Sequence, residues 1–446
     1  MSVSDLTART KALMPWVTDE LMAFTAIPSI AFPGYPPGPV LEAAEKTVEL
    51  FRAAGVENVR LLPVEGGYPA VFADIPAPPG KPTVLLYAHY DIQPAPMEQG
   101  WTADPFTPFV KNGRIHGRGA ADDKSGVMMH VAALKLFNGK PPIGVRILIE
   151  GEEETGSSLG PFVDENPWIV DGVDAFIIGD GGNSMAGRPE LNIALRGVAS
   201  CTVTVRTLNS MVHSGAFGGG APDAMMALAR ILSGLLDDNG DVAIPGLTRW
   251  EWEGGEVLEE EYRVAAGVRP GVGLMGTGSL ATRLWTRPSV TAIGVDAPPV
   301  AGASNSLVPE ARAKISLRLA PGTDPIDSQR LLIEPIRRIA PWGVQLEISE
   351  DAVGAAFKAP TGGPIDASAR AAMQEVFGRS VTSTASGGSI PLLGVLQAAV
   401  PTAEFVVWGA QEGQFSSVHG PDESQDLAEL ERMIAAEARF LELLAE

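Results

Sequence analysis

The run Val84-Leu85-Leu86-Tyr87-Ala88-His89-Tyr90-Asp91 decides how this 446-residue chain folds. Its first five residues are a continuous apolar run of strand length, and the polar residues His89 and Asp91 follow where that run stops. An apolar run without alternation is typical of a strand that is buried on both faces of a parallel sheet. In such sheets, ligands bind just beyond the carboxyl ends of the strands. The stretch therefore predicts an α/β domain with a functional site that begins at His89.

Two later stretches repeat this pattern of an apolar run that stops at a polar residue. Residues 144–149 end at Glu150, and residues 175–178 end at Gly179-Asp180. Helical spacing of apolar residues separates the runs, most clearly over residues 127–137. Strands that alternate with helices predict an α/β fold class, with a largely parallel central sheet flanked by helices.

A different pattern starts near Leu191. Two strand patterns and a helix are followed by further strands and another helix, which predicts an α+β module. The α/β pattern then returns and continues to the end of the sequence. We therefore predict a catalytic domain formed by residues 1–190 and 357–446, with a second domain inserted at residues 191–356.

Charge and hydropathy exclude several classes of function. Lys plus Arg number 33 and Asp plus Glu number 54, so the formal net charge is −21. A nucleic-acid partner requires a basic footprint on the protein, and an acidic chain is equally unsuited to an anionic membrane surface. No apolar stretch reaches the roughly 18 residues that indicate a membrane span. We expect no nucleic-acid partner and no membrane association.

Two features favour a cytoplasmic protein. The N-terminus lacks the charged and apolar regions of a signal peptide. The single Cys201 has no second cysteine with which to form an internal disulfide, which agrees with a reducing compartment. Because Cys201 lies within a strand pattern, we interpret it as a buried structural residue.

Metal-binding side chains are concentrated at the ends of the apolar runs. Several carboxylates gathered in one crevice repel one another unless a cation neutralises them. Three carboxylates and two imidazoles match two divalent cations, and such mixed ligands suit zinc, with manganese or cobalt as alternatives. Two cations about 3.5–4 Å apart activate water and polarise a carbonyl group. The cluster comprises His89, Asp91, Asp122, Asp123, Glu150, Glu152, Glu153, Glu154, Asp180 and His419.

The spacing of residues within this cluster indicates, for some of them, which act directly on a cation or on water and which position another residue. His89 and Asp91 face the same side of a regular strand, so Asp91 is placed to bond the second ring nitrogen of His89 and fix its tautomer. Glu153 and Glu154 are adjacent, so one can bind a cation while the other acts as a general base. The residues alone leave open which of the two does which.

Four motifs stand out along the chain. They are His89-Tyr90-Asp91-Ile92-Gln93-Pro94, the stretch from Trp101 to Pro108, Gly117-Arg118-Gly119 with Asp122-Asp123-Lys124, and Glu153-Glu154-Thr155-Gly156-Ser157. Together they resemble the co-catalytic zinc metallopeptidase family, which includes carnosinases and cytosolic nonspecific dipeptidases, carboxypeptidase G, acetylornithine deacetylase and succinyl-diaminopimelate desuccinylase. The resemblance covers essentially the whole chain, and the motif set is highly specific.

The resemblance implies five metal ligands. Asp122 matches the carboxylate that bridges the two cations. His89 and Asp180 match the remaining ligands of one cation, and Glu154 and His419 match those of the other. The cofactors implied are therefore two divalent metal ions per subunit, with zinc as the expected metal.

The resemblance also implies the groups that act beside the cations. Glu153 matches the general base, and Asp91 matches the residue that orients His89. The family tends to hold the peptide bond after the bridging aspartate in cis, which here is the bond Asp122-Asp123.

The inserted domain resembles the dimerisation (lid) domain of the same family. His213 lies in a segment that resembles the family's histidine loop, which in dimeric relatives reaches the partner subunit's active site and stabilises the oxyanion. Asn305 resembles another contact made in trans. The resemblance therefore implies a homodimer in which His213 acts on the substrate held by the partner.

Three residues resemble the family's site for the substrate carboxylate. They are Arg318 on a predicted strand, and Gly388 and Ser389 in a glycine-rich loop. A guanidinium fork and backbone N–H groups are suited to binding a carboxylate.

The function implied is a metal-dependent hydrolase that cleaves the amide bond of dipeptides or short peptides. Asp180 favours the dipeptidase branch, because deacylases and carboxypeptidases of the family more often carry Glu at this position. Departures from the dipeptidase pattern at Met211-Val212, His116 and Ser386 leave a second alternative open, an N-acyl-amino-acid deacylase or carboxypeptidase. A third alternative is a metal-binding scaffold without turnover.

Other polar residues have simpler interpretations. His116 and His130 match no motif, so we interpret both as structural. Glu150 and Glu152 are expected to be solvated or to lie behind the ligands. The run from Glu256 to Glu261 predicts a solvated helix face.

Overall fold

A computed structural model describes residues 2–388 and 390–446. The helices are α1 (Val3–Thr25), α2 (Gly38–Ala53), α3 (Lys124–Leu136), α4 (Leu159–Glu165), α5 (Ser214–Phe217), α6 (Ala224–Ser233), α7 (Glu259–Ala265), α8 (Pro325–Ile339), α9 (Pro364–Phe377), α10 (Pro391–Ala399) and α11 (Leu427–Leu443). The strands are β1 (Arg60–Leu62), β2 (Ala70–Ile75), β3 (Thr83–His89), β4 (Phe109–Lys111), β5 (Arg114–His116), β6 (Gly144–Glu150), β7 (Ala175–Ile178), β8 (Gly182–Asn183), β9 (Glu190–Leu195), β10 (Gly197–Arg206), β11 (Val212–His213), β12 (Ser289–Asp296), β13 (Ser306–Leu307), β14 (Glu310–Leu319), β15 (Gln345–Gly354), β16 (Phe357–Lys358), β17 (Thr382–Ser386), β18 (Glu404–Val407), β19 (Gln411–Glu412) and β20 (Ser424–Asp426).

The central sheet has six strands in the order β1-β2-β6-β3-β7-β18. Strand β3 is parallel to β6 and β7, and β18 is parallel to β7. Strands β1 and β2 form an antiparallel edge next to β6, which the sequence patterns did not predict. The predicted α/β fold class with a largely parallel sheet is confirmed. The parallel strands bring His89, Glu150 and the residues after Ile178 to one edge of the sheet.

Side chains of β3 alternate between two hydrophobic cores. Val84, Leu86 and Ala88 are buried against α1, α2, α3, α9 and α11 on one face of the sheet. Leu85 and Tyr87 are buried against α4 and α10 on the other face. Burying a leucine side chain contributes roughly 1.5–3 kcal/mol, so both layers fix the strand whose end carries His89.

A third core lies in a separate antiparallel sheet with the strand order β12-β14-β10-β15. Helices α6 and α8 pack on this sheet, and Cys201 is buried beneath them as a free cysteine. Strand β12 is at the edge of the sheet, and most of its residues are exposed. The third core supports the proposed inserted domain, whose boundaries at residues 191–356 we keep as a prediction.

The described helices differ in length and polarity, and none of them is long and apolar enough to cross a membrane.

Candidate metal centre

Six side chains that can bind metal meet beyond the carboxyl ends of β3 and β7. They form two groups, and the ligand atoms within each group lie within 4.8 Å of one another. The first group is His89, Glu153 and Asp180, and the second is Asp122, Glu154 and His419. This placement agrees with the sequence prediction, which put these residues in one crevice. Which of them bind metal remains a prediction.

Asp122, a member of the second group, faces both groups with different oxygen atoms. Its Oδ1 is 3.3 Å from Nε2 of His89, and its Oδ2 is 3.0 Å from Nε2 of His419. Nε2 of His419 is also 3.3 Å from Oε1 of Glu154, and Nε2 of His89 is 4.0 Å from Oδ2 of Asp180. A carboxylate that directs one oxygen to each group has the geometry of a bridge between two cations.

A buried ion pair stabilises the loop that carries Asp122. Arg118 donates to Glu423 at 2.6 Å, and both side chains are almost completely buried. The Glu423 carboxylate also accepts backbone N–H bonds from Gly119, Ala121 and Asp122 at 2.9–3.1 Å. The Asp122-Asp123 peptide bond that follows is cis, as the family resemblance implied.

We expect Glu423→Ala to destabilise the protein by about 3–5 kcal/mol, because it leaves the buried Arg118 guanidinium without its counter-charge. Urea denaturation followed by circular dichroism measures this free energy of unfolding. The control is Arg330→Met, which breaks an ion pair with Asp327 that is 71% exposed on both sides and should change stability by less than about 0.5 kcal/mol. A loss below about 1 kcal/mol for Glu423→Ala would contradict a structural role for this pair.

Asp91 connects the two groups through hydrogen bonds. Nδ1 of His89 lies 3.0 Å from the Asp91 carbonyl oxygen and 3.3 Å from Oδ1 of Asp91. The same carboxylate accepts the backbone N–H groups of Glu153 and Glu154, both at 3.1 Å. Asp91 is completely buried. Its predicted role of orienting His89 fits this geometry, and the two bonds to the glutamate backbone add a contact that the sequence did not suggest.

Two glutamine side chains in the site were missed by the sequence reasoning. Gln93 donates from Nε2 to Oε2 of Glu154 at 2.6 Å, which leaves Oε1 directed toward His419. Gln411 places its Nε2 at 3.4 Å from carboxylate oxygens of both Asp122 and Asp180. Gln93 lies within the quoted histidine motif and was therefore accessible from the sequence. Gln411 matched no quoted motif.

The carboxylates of the site shift one another's pKa. Burial, followed by the negative charge of Asp122, raises the pKa of Asp180 to about 7. Burial, reinforced by the neighbouring Asp180 and Glu154, raises the pKa of Glu153 well above its ordinary value. Burial also acts to raise the pKa of Asp122, but the nearby imidazoles of His419 and His89 outweigh it and hold that pKa below its usual range. Shifts of this kind are expected where several buried carboxylates lie close together.

The residues fit two divalent cations. Nε2 of His89 and Oε1 of Glu154 are buried and have no hydrogen bond of good geometry. Buried polar atoms without a partner are rare in proteins and require an explanation. Both atoms point at the space around Asp122, and both are of the type that binds zinc or a similar metal.

A cavity of about 570 Å³ opens from this cluster. Gly388 lines it together with Ser386 and Gly387, and its proposed contact with a substrate carboxylate stays a prediction. Ser389 lies outside the described residues. The cavity volume falls in the range of small-molecule sites.

Three predicted residues do not line this cavity within the same chain. His213 and Asn305 lie together on the inserted domain, where Ser214 donates its N–H to the Asn305 carbonyl at 2.9 Å. His213 is exposed, and its Nδ1 accepts the N–H of Gly215 at 3.0 Å. Arg318 is half-buried on β14, where it lowers the pKa of the buried Arg196 in addition to the larger effect of burial.

The remaining histidines lie outside the metal-ligand groups. His130 is completely buried, and its Nδ1 lies 2.8 Å from Oε1 of Glu437. His116 stacks on Phe109 with 5.0 Å between ring centroids. Both positions agree with the structural interpretation of these residues.

The interpretation of residues 256–261 as a solvated helix face is wrong in part. Glu256, Glu259 and Glu260 are exposed, as expected, but α7 begins only at Glu259, and Glu261 is partly buried and lines the cavity. Glu261 is held there by Arg188, to which it makes two hydrogen bonds. A charge run identifies a helix face that avoids the core, but it does not reveal a cavity on that face.

Comparison with known proteins gives the same result as the site. The family model of Peptidase family M20/M25/M40 matches residues 85–443. The chain is 40% identical over 368 residues to the cysteinylglycine-S-conjugate dipeptidase of Corynebacterium striatum, a match that covers 81% of this chain and 80% of that protein.

Solved structures show the same fold. The di-peptidase Dug1p from Saccharomyces cerevisiae is similar with a TM-score of 0.85 at 23% identity, over 100% of this chain and 98% of that one. A dinuclear metal binding peptidase of the M20 family from Bacillus subtilis is similar with a TM-score of 0.60 at 15% identity, over 97% of this chain and 98% of that one. The chain therefore belongs to peptidase family M20/M25/M40, in its dipeptidase branch.

Proposed function

We propose that this protein is a binuclear metal-dependent dipeptidase, which hydrolyses the amide bond of dipeptides or short peptides. The observation that carries the proposal is the bridging position of Asp122 between two groups of ligands, with Glu153 beside them. The relatives' names, which describe dipeptidases, support the same reaction.

The donor set fits two cations of the zinc type. In this proposal Asp122 is shared, His89 and Asp180 complete one site, and Glu154 and His419 complete the other. When bound, the cations would lower the pKa of a water molecule and polarise the scissile carbonyl group. We propose zinc as the metal, because imidazole and carboxylate ligands together suit it.

Glu153 is the proposed general base. Its carboxylate takes a proton from the attacking water as the water oxygen bonds to the carbonyl carbon. It then delivers that proton to the amine nitrogen as the C–N bond breaks. Asp91 holds the backbone of Glu153 in position by accepting its N–H group.

The substrate carboxylate is proposed to bind at Gly388 and Ser389, and Arg318, which does not line the cavity in this structure, is proposed to join them when the two domains close. The Arg318 guanidinium is half-buried, and burial lowers its pKa. Burial disfavours the charged form of the guanidinium, and a carboxylate beside it would offset this effect through paired hydrogen bonds. The free carboxylate of a dipeptide supplies such a group.

His213 and Asn305 are proposed to act on the partner subunit's substrate in a homodimer. His213 is exposed on its own chain and does not line that chain's cavity, which supports a role at a second copy's site. Large exposed apolar side chains on the same domain supply surface for an interface. They are Met211, Phe217, Ile293, Val295 and Val300.

The proposed substrates are dipeptides with a free N-terminus, and the proposed location is the cytoplasm. The 40% identical relative is named for cysteinylglycine S-conjugates, so dipeptides that resemble these conjugates are the first candidates. The buried, free Cys201 is consistent with a reducing compartment.

A metal and substrate screen tests the function. The protein is stripped with a chelator, supplied with zinc, manganese or cobalt, and assayed on Ala-Gly, Cys-Gly and N-acetylalanine. We expect no turnover without metal, about two equivalents of metal bound at full activity, and hydrolysis of dipeptides well above that of N-acetylalanine. Faster cleavage of N-acetylalanine would instead favour the deacylase alternative. Tight metal binding without any hydrolysis would identify a scaffold.

A further inference from the structure

Helix α7 belongs to the inserted domain but forms a wall of the cavity that opens from the metal-ligand cluster. We propose that this wall is a subsite for a large apolar side chain of the dipeptide, and that it determines substrate preference. The inference rests on the proposed function, because it concerns the substrate of the same site.

An ion pair fixes α7 against the catalytic domain. The guanidinium of Arg188, which follows β8, donates to both carboxylate oxygens of Glu261 at 3.0 and 3.1 Å. A bidentate pair fixes both distance and direction. The inner face of α7 therefore has a defined position over the cavity.

The wall presents apolar side chains to the cavity. Val257, Tyr262 and Ala265 line it on the α7 side, and Leu284 and Trp285 continue it. Trp285 is held by aromatic packing. Its ring lies edge to face with that of Trp252, and the ring centroids are 4.9 Å apart. Trp252 in turn donates its indole N–H to the Gly255 carbonyl oxygen at 3.1 Å.

Three polar side chains in the same part of the cavity already have partners in the protein. Arg188 is bound by Glu261, and Glu190 accepts the N–H and hydroxyl of Ser184 at 2.6 and 2.7 Å. Asn192 accepts the hydroxyl of Thr384 at 3.0 Å. A ligand group beside Arg188 or Glu190 gains little from being polar, because these two side chains already have partners in the protein.

The size of the cavity agrees with a subsite for a large apolar side chain. At about 570 Å³ it lies within the roughly 300–1,000 Å³ of sites for small organic molecules, which are mostly apolar with a few polar groups that fix orientation. The metal-ligand cluster and Gly388 supply the polar groups at one side of this cavity. The apolar wall then accommodates a side chain larger than that of alanine.

Two series of dipeptides measure the preference and identify the residue that uses the wall. In one series X-Gly, and in the other Gly-X, X is Ala, Val, Leu, Phe or S-benzylcysteine. We expect kcat/KM to rise about tenfold or more from Ala to Phe in one series, as apolar contact discriminates between substrates. No increase with size in either series would overturn the inference while leaving the proposed function intact. If no dipeptide is hydrolysed, the proposed function fails and the inference falls with it.

Substitutions on α7 then test the wall itself. Ala265→Trp fills the subsite and should lower the ratio of kcat/KM for the Phe substrate to that for the Ala substrate by about tenfold or more. Tyr262→Ala, which removes bulk rather than adding it, should lower the same ratio through lost contact. The matched control is Val264→Trp, because Val264 is 62% exposed on the same helix and does not line this cavity. An equal change of the ratio in the control, or none in either wall variant, would overturn the inference.

Discussion

Glu153→Gln should reduce kcat for dipeptide hydrolysis by about 10²–10⁴-fold while leaving the metal content unchanged. Glutamine has nearly the shape of glutamate but does not take up a proton at neutral pH. Glu153 lies with His89 and Asp180, and its backbone N–H is held by Asp91, so the variant keeps its position in the site. Metal analysis of the purified variant separates loss of the base from loss of the cations.

The neighbouring Glu152→Gln is the matched control, since it removes the same charge one residue earlier. Glu152 does not line the cavity and is not in either group of ligand atoms. We expect its kcat to stay close to that of the unsubstituted protein. A Glu153→Gln enzyme with ordinary activity, or one that loses a cation, would rule out the assignment of Glu153 as the base.

His213→Ala should lower kcat by about 10²–10³-fold, the effect of removing one oxyanion donor. Its KM should change much less, because the developing negative charge exists mainly in the transition state. His213 is exposed and does not line its own chain's cavity, so the loss of activity is expected without a loss of stability. Steady-state kinetics together with thermal unfolding measure both quantities.

A mixing experiment tests whether His213 acts on the partner. His213→Ala and Glu153→Gln chains are unfolded together and refolded, so that mixed dimers form. In a mixed dimer one site combines an intact Glu153 with the partner's intact His213, and random pairing in a symmetric dimer restores about a quarter of full activity. If each chain uses its own His213, the mixture stays as inactive as its components.

The sequence predicted the parts of the site that lie next to strand ends. The apolar run before His89 and the one before Asp180 fixed the crevice, because parallel strands end at a common edge. The fold class followed from the same runs. The apolar runs did not predict that β1 and β2 pair at the edge of the sheet. That pairing depends on contacts across the sheet rather than on local periodicity.

Supporting contacts between distant parts of the chain were beyond the sequence reasoning. Glu423 binds three backbone N–H groups of a loop that lies about 300 residues earlier, and no local pattern marks it for this task. Glu261 was read as a solvated charge because its partner Arg188 lies 73 positions away. Both cases concern charged residues whose partners are decided by tertiary structure.

The hydrogen bonds of Asp91 have a consequence for how this centre can change. One carboxylate sets both the ring of His89 and the turn that presents Glu153 and Glu154. A substitution there disturbs the base and the two proposed metal sites at once, so it offers no gradual route to a different metal preference. A substitution of Gln93 would alter only the proposed metal site that contains Glu154, because Gln93 contacts Glu154 and not His89. Variation between natural versions of this enzyme should therefore be tolerated at position 93 before it is tolerated at position 91.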